Sequence, residues 1–189
     1  MKIIETKRLI LRTWEPLDLE PMVLINQDPL VMEYFPSLQD RDKTQIFINR
    51  MNQHFKTYGY TLYAVQTQLH DECIGFIGLL NTHFDTHFTP AIEIGWRLSS
   101  KQWGKGYATE GALAVLKQGF IDLELDEIVS FTVAKNTRSR RVMEKLGLKH
   151  NPSDDFDHPK VAQDSPCIRH VLYRLKREEY FHKTHQVHT

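Results

Sequence analysis

The stretch Trp103-Gly104-Lys105-Gly106-Tyr107-Ala108-Thr109-Glu110 constrains the fold of this chain more than any other. It follows residues 91–98, where apolar Ile92, Ile94, Trp96 and Leu98 recur at every second position, the period of a β-strand. It runs into residues 108–123, where Ala112, Val115, Leu116, Phe120 and Leu123 share one helical face. A turn with two glycines between a strand and a helix is a place to hold phosphate. Backbone N–H groups point outward at the helix N-terminus, and the helix dipole favours negative charge. Glycine lets the backbone approach a bulky anion without a Cβ in the way. Two common phosphate turns do not fit. No Gly-Lys-Ser/Thr follows at P-loop spacing, and the glycine spacing of a dinucleotide-binding Rossmann turn is missing.

The rest of the chain reads as strands in a meander, then strand–helix–strand–helix–strand, an α/β domain with a mixed sheet. Residues 8–14 read as the first strand. Pro16 opens a short helical segment to about Asn26, and residues 28–35 read as a second helical piece closed by Pro36. Residues 40–58 read as a strong helix, with Phe47, Met51, Phe55 and Tyr58 at helical spacing and Gly59 as its stop. Strands follow at 60–66 and 73–80, with a hairpin turn expected at His70-Asp71-Glu72. Residues 127–134 read as the fifth strand, 136–146 as a helix closed by Gly147, and 170–176 as the last strand. The polar, Pro-containing stretch 151–167 reads as a long loop.

The chain has 189 residues, 41% of them hydrophobic, which suits one domain over residues 1–180 and a tail over 181–189. Formal net charge is +0, from 24 basic and 24 acidic side chains, so neither nucleic acid nor an anionic membrane is an expected partner. No apolar run is long enough to cross a bilayer, and the charged start Met1-Lys2-Ile3-Ile4-Glu5 lacks a signal-peptide core. Cytoplasmic location with free thiols at Cys73 and Cys167 is the simplest expectation, with a disulfide between them left open. His182, His185 and His188 share a spacing that would suit a metal, but no acidic or Cys-rich context supports one, and no metal is expected there or at His83 and His87.

The order strand, Gly-rich turn, long helix, strand, Asn-led helix, Gly-Leu, strand resembles the GNAT superfamily of acetyl-coenzyme A-dependent N-acyltransferases. That family's signature is Gln/Arg-x-x-Gly-x-Gly/Ala. Gly106 and Ala108 fill its last two fixed positions, while Trp103 stands where Gln or Arg is usual. Trp-Gly-x-Gly-Tyr-Ala-Thr-Glu is common in the branch holding the ribosomal-protein N-terminal acetyltransferases. Asn136-Thr137-Arg138-Ser139 with Met143-Glu144-Lys145-Leu146-Gly147-Leu148 is similar to that branch's second block, with Leu148 in place of Phe. The opening residues 5–12 and closing residues 170–175 resemble it too, so the likeness covers nearly the whole chain. It implies one mixed, mostly antiparallel sheet of six to seven strands, splayed between the fourth and fifth, with about four flanking helices.

The resemblance implies transfer of acetyl from acetyl-CoA to a primary amine, either a protein N-terminus or a small molecule, by a monomer or homodimer. No cysteine lies in the motif blocks, so direct attack in a ternary complex is expected. The pyrophosphate would lie against Trp103, Gly104, Lys105, Gly106, Tyr107 and Ala108, and the pantetheine along backbone near Trp96 and Leu98. The Leu98 N–H would face the thioester oxygen and stabilise the oxyanion. Asn136 would contact the cofactor, though it also reads as a helix N-cap. Ser139 is the candidate proton donor to the leaving thiolate, since the Tyr many relatives use in this helix is Met143 here. Glu93 is the candidate base for the amine, against a surface carboxylate or a pair with Arg97 as the plainer readings. Glu110, in the first helical turn, reads as a dipole residue. Tyr34, Phe35 and Phe156 would line the acceptor, and Asp154, Asp155 and Asp157 would attract a cationic amine or simply be solvated. A non-catalytic acyl-CoA-binding module is the alternative from another class. An ATP-binding loop is a third, without an acidic metal-ligand pattern behind it.

Overall fold

The computed structural model describes the backbone of residues 1–186 and the side chains of residues 1–182. Its elements in chain order are β1 (Lys2–Glu5), β2 (Leu9–Arg12), α1 (Leu19–Gln27), α2 (Arg41–Tyr58), β3 (Leu62–Thr67), β4 (His70–Thr82), β5 (Ala91–Leu98), α3 (Tyr107–Lys117), β6 (Glu127–Val133), α4 (Thr137–Leu146), β7 (Lys149–His150), β8 (Phe156–Asp157), β9 (Arg169–Lys176) and α5 (Arg177–Gln186). The strands form one nine-stranded sheet in the order β1-β2-β3-β4-β5-β6-β9-β7, with β8 also paired to β9. Pairs β1–β2, β2–β3, β3–β4, β6–β9, β7–β9 and β8–β9 are antiparallel, and β5–β6 is parallel. The strand count exceeds the expected six to seven because β1, β7 and β8 are only two to four residues long. The parallel pairing of β5 with β6 holds at one register position, Glu93↔Val129, which is the signature of strands that splay.

The chain divides into two compact units, Met1–Leu80 with Gly95–Val115, and Asn81–Ile94 with Leu116–Thr189. The first unit is built on Trp14, Met22, Ile48, Met51, Leu62 and Phe76, with Phe47, Leu80 and Trp103 packed against them. The second has a smaller core of Phe88, Val129, Phe156 and Leu172, flanked by Phe84, Ala91 and Phe131.

Local chemistry sets the strongest elements. α2 starts where the Asp40 side chain accepts from the Lys43 N–H at 2.8 Å, and it stops at Gly59 with φ 79°. α4 starts at the Asn136 cap and stops at Gly147 with φ 92°.

Four local expectations change. Residues 28–35 are turns rather than a helix: the Met32 N–H reaches Asp28 O in a single i→i−4 bond, too little to propagate. The β3–β4 turn sits at Gln68-Leu69, and His70-Asp71-Glu72 belong to β4, because Thr67 pairs with His70 across a two-residue loop. The helix after the Gly-rich turn begins at Tyr107 and ends at Lys117, and Gln118–Asp122 continue it as a π-turn. The loop 151–167 carries β8. Helix α5 spans Arg177–Gln186. His182 is exposed, while His188 and the side chain of His185 lie outside the described residues.

Cys73 is buried, Cys167 is half-buried, and both are free thiols. Among the described residues, no helix is long and apolar enough to cross a membrane.

Candidate functional site

In the first unit, β5 delivers the chain to the Gly-rich turn. The Trp103 indole folds back and donates from Nε1 to Leu98 O at 3.0 Å, which occupies the end of β5 and seats the ring on the core. Leu98 is buried and Trp96 half-buried. Gly104 and Gly106 have φ 76° and 79°, the left-handed region that side chains resist. A Cβ on Gly104 would meet nothing within 4 Å, so glycine is required there by conformation alone. On Gly106 it would lie 3.4 Å from Arg8 Nη2. α3 then begins at Tyr107, and its first intrahelical bond runs from the Glu110 N–H to Gly106 O at 3.0 Å. The amides before Glu110 have no intrahelical acceptor, which is the arrangement that suits an anion at a helix N-terminus. Lys105 Nζ donates to Gln102 Oε1 at 2.8 Å, so its charge stays at the exposed rim of the turn.

A clamp from the start of the chain braces this turn. Arg8 donates from Nε to Glu110 Oε2 at 2.6 Å and from Nη1 to Lys105 O at 2.8 Å. Its guanidinium carbon lies 4.7 Å from the Tyr107 ring centroid. Glu110 Oε1 also accepts from Thr6 Oγ1 at 2.6 Å and from the Arg8 N–H at 2.9 Å. Burial raises the Glu110 pKa, but the hydrogen bonds from Thr6 and Arg8 and the Arg8 charge outweigh it and hold the carboxylate below its ordinary range. Glu110 is therefore a tie-point, more than the dipole residue its position suggests. In the sequence, Thr6 and Arg8 stood out only as part of the family resemblance. No local pattern marks them, because their partners lie about a hundred residues away.

The first unit also holds Tyr34 and Phe35, on the turns that follow α1. Tyr34 is half-buried, and Phe35 is 40% exposed with its ring 4.1 Å from the Arg97 guanidinium carbon. Arg97 spends its hydrogen bond on Asn26 rather than on a carboxylate.

In the second unit, Glu93 is half-buried on β5, and Thr82 Oγ1 donates to its Oε2 at 3.4 Å. Burial pushes its pKa up to about 8, and the Thr82 hydrogen bond offsets only part of that. Beside it, Ser130 Oγ donates to Ile94 O at 2.9 Å across the splayed pair. Asn136 is a fully engaged cap: Oδ1 accepts from the Ser139 N–H at 3.2 Å and Nδ2 donates to Thr132 Oγ1 at 3.0 Å. Ser139 is half-buried, and its hydroxyl has no hydrogen-bond partner among the described residues. Met143 is buried in the same helix.

Phe156 is 5% exposed and lies inside the aromatic core, with ring centroids 4.8 Å from Phe88 and 5.5 Å from Phe131. The three nearby acids are each engaged by a basic partner: Asp154 by Arg174 at 2.8 Å, Asp155 by His150 at 2.7 Å, and Asp157 by Arg169 at 3.3 Å. Asp154 and Asp155 are half-buried beside these partners, whereas Asp157 is exposed, as a solvated loop residue would be. Burial and the neighbouring His170 and Lys160 charges push His158 down to about 4, and burial lowers His170 as well.

The sequence profile of the Acetyltransferase (GNAT) domain matches residues 8–149. The chain belongs to the GNAT acetyltransferase family. A Bacillus subtilis relative, the uncharacterized N-acetyltransferase YnaD, is 32% identical over 180 residues, covering 94% of this chain and 98% of its own. The solved GNAT-family acetyltransferase of Bacillus anthracis is 30% identical, with a TM-score of 0.76 over 93% of this chain and 99% of that one. RimL, a ribosomal alpha-N-protein acetyltransferase solved with coenzyme A, shares the fold at a TM-score of 0.74 and 13% identity, over 95% of this chain and 99% of its own. This GNAT protein is thus an acyl-CoA-dependent acetyltransferase, and its Gly-rich turn falls inside the matched domain.

Proposed function

We propose that this GNAT acetyltransferase moves acetyl from acetyl-CoA to a primary amine by direct attack in a ternary complex. One observation carries the reading: the strand that runs into the phosphate-type turn also bears a half-buried carboxyl held at about 8. A base must ionise near working pH and still be basic enough to take a proton from an ammonium, and a desolvated glutamate does both. Glu93 accepts the proton that the acceptor amine loses as its C–N bond forms. Gly104, Gly106 and the amides of Tyr107 and Ala108 hold the pyrophosphate, with Lys105 at the rim and Trp103 fixing the entry to the turn. Backbone at Trp96 and Leu98 lies along the pantetheine, and the Leu98 N–H faces the thioester oxygen. Acetyl-CoA supplies the activated acyl group. Ser139, whose hydroxyl has no partner among the described residues, passes a proton to the departing thiolate as the C–S bond breaks and takes one back from solvent water. Asn136 contributes by holding the first turn of α4, and so Ser139, in place. Tyr34 and Phe35 line the acceptor side, and Phe156 lines it from the second unit. The protein works in the cytoplasm as a monomer or homodimer.

The test is a thermal midpoint of the purified protein with acetyl-CoA, with Mg²⁺-ATP as control, followed by thiol release across a panel of amines. A ligand at about 100 times its Kd adds about 2.7 kcal/mol to the folded state. A shift with acetyl-CoA alone and thiol release with at least one amine support the reading. A shift without release from any amine points instead to a non-catalytic binding module.

A further inference from the structure

Arg97, near the end of β5, is a half-buried cation with no carboxylate partner among the described residues. Its Nη1 donates to Asn26 Oδ1 at 2.6 Å. The amide of Asn26 has only one orientation available. Thr44 Oγ1 gives its proton to Asp40 O at 2.8 Å, so its oxygen must accept from Asn26 Nδ2, at 2.9 Å, leaving Oδ1 for Arg97. Asn26 and Thr44 are both 0% exposed, so this chain is rigid and dry. Aromatic rings cover the guanidinium, Phe35 at 4.1 Å and Phe76 at 5.3 Å. Nε is enclosed and has no hydrogen-bond partner among the described residues, and Nη1 alone donates to Asn26. Burial pushes the Arg97 pKa down to about 10, which leaves the group charged at neutral pH.

An enclosed N–H of a charged group left without an acceptor is costly, and proteins rarely keep one that has no use. The Nε and Nη2 donors of a guanidinium point the same way, as a fork that matches the two oxygens of a carboxylate. Asn26 has taken the other side of the group and so orients the fork. Of the two rings, Phe76 is buried while Phe35 sits on a segment of turns and is 40% exposed, so Phe35 is the ring free to move off the guanidinium. We propose that Arg97 is a specificity-determining residue that binds the carboxylate of the acceptor, making the acceptor a small amino acid rather than a polyamine or an extended peptide. This rests on the acetyl-transfer reading above. One guanidinium matches a monoanion, and a phosphate dianion would leave a charge uncompensated.

The test uses the whole chain with saturating acetyl-CoA and matched acceptors: free amino acids, β-alanine among them, against their carboxamides, and O-phosphoethanolamine as the phosphate arm. The amine of an amino-acid amide is the less basic, so chemistry alone favours the amide. We expect kcat/KM at least ~10-fold higher for the acid, expressed mainly in KM. In Arg97→Gln the acid-to-amide ratio falls to about one, and Arg97→Lys restores part of it. A merely structural arginine would lower both acceptors together and leave the ratio intact. A second readout needs no turnover: succinate and N-acetyl-β-alanine should raise the thermal midpoint of the wild-type protein and not of Arg97→Gln. If Arg97→Gln fails to fold, the wild-type ratio and the wild-type midpoint shift decide. Equal rates for acid and amide with no midpoint shift overturn the proposal, and so does a preference for O-phosphoethanolamine. A midpoint shift with the carboxylates but none with acetyl-CoA would uphold the anion site while removing the acetyl-transfer reading.

Discussion

Glu93 is the residue whose environment matters most for turnover. Its pKa of about 8 predicts that kcat/KM rises through a limb centred near pH 8, and that Glu93→Gln loses this limb while keeping the acetyl-CoA midpoint shift. The same shift acts on stability. The folded protein keeps this proton up to about pH 8, whereas the unfolded chain releases it near the ordinary value of 4.5. The folded state binds more protons across that window, so stability falls as pH rises from 4.5 to about 8. Denaturant unfolding at several pH values should show a shallower fall in Glu93→Gln. Gly104 and Gly106 make a second residue-scale pair. Gly104→Ala meets no atom, so any loss measures the left-handed conformation alone, about 1–2 kcal/mol. Gly106→Trp places bulk against Arg8, at the cradle itself, and should abolish the acetyl-CoA midpoint shift.

Elements carry the next two expectations. The N-terminus of α4 depends on Asn136, and Asn136→Ala should cost about 1 kcal/mol in denaturant unfolding through the lost cap. Asn136→Asp preserves the cap acceptor and should recover most of that stability. If turnover stays low in Asn136→Asp, the amide has a second task at the cofactor, and if turnover recovers, the residue is a cap only. His158, just after β8, and His170 on β9 are both driven towards the neutral form. Unfolded histidine takes up a proton near 6.5, while His158 resists until about 4. Stability present above 6.5 is therefore lost as pH falls towards 4. His158→Phe, which keeps the ring among Phe84, Phe131 and Phe156, should flatten this acid limb in the same unfolding measurement.

At the scale of the whole molecule, the two thiols report on global opening. Burial raises Cys73 to about 12, and Cys167 is half-buried. Alkylation of the folded protein at pH 8 should label Cys167 and spare Cys73, and denaturant should expose the second thiol with the unfolding transition. Much of the molecule was legible before any coordinates. The turn at 103–108, the caps Asp40 and Asn136, the stops Gly59 and Gly147, and the periodicity of α2 and β5 are local, and the chain's own chemistry determines them wherever they sit. Short edge strands such as β1, with two exposed charged ends, carry too weak a pattern to be seen this way. Residues 28–35 misled because a few helix-compatible side chains do not reveal whether a helix can propagate. Tertiary structure alone decided the rest. Arg8 meets Glu110 across 102 positions, Arg97 meets Asn26 across 71, and the acids at 154, 155 and 157 find basic partners. Whether a charge is dry, paired or orphaned depends on neighbours that sequence spacing does not name, and that is why Glu93 and Arg97 acquire their chemistry only in the fold.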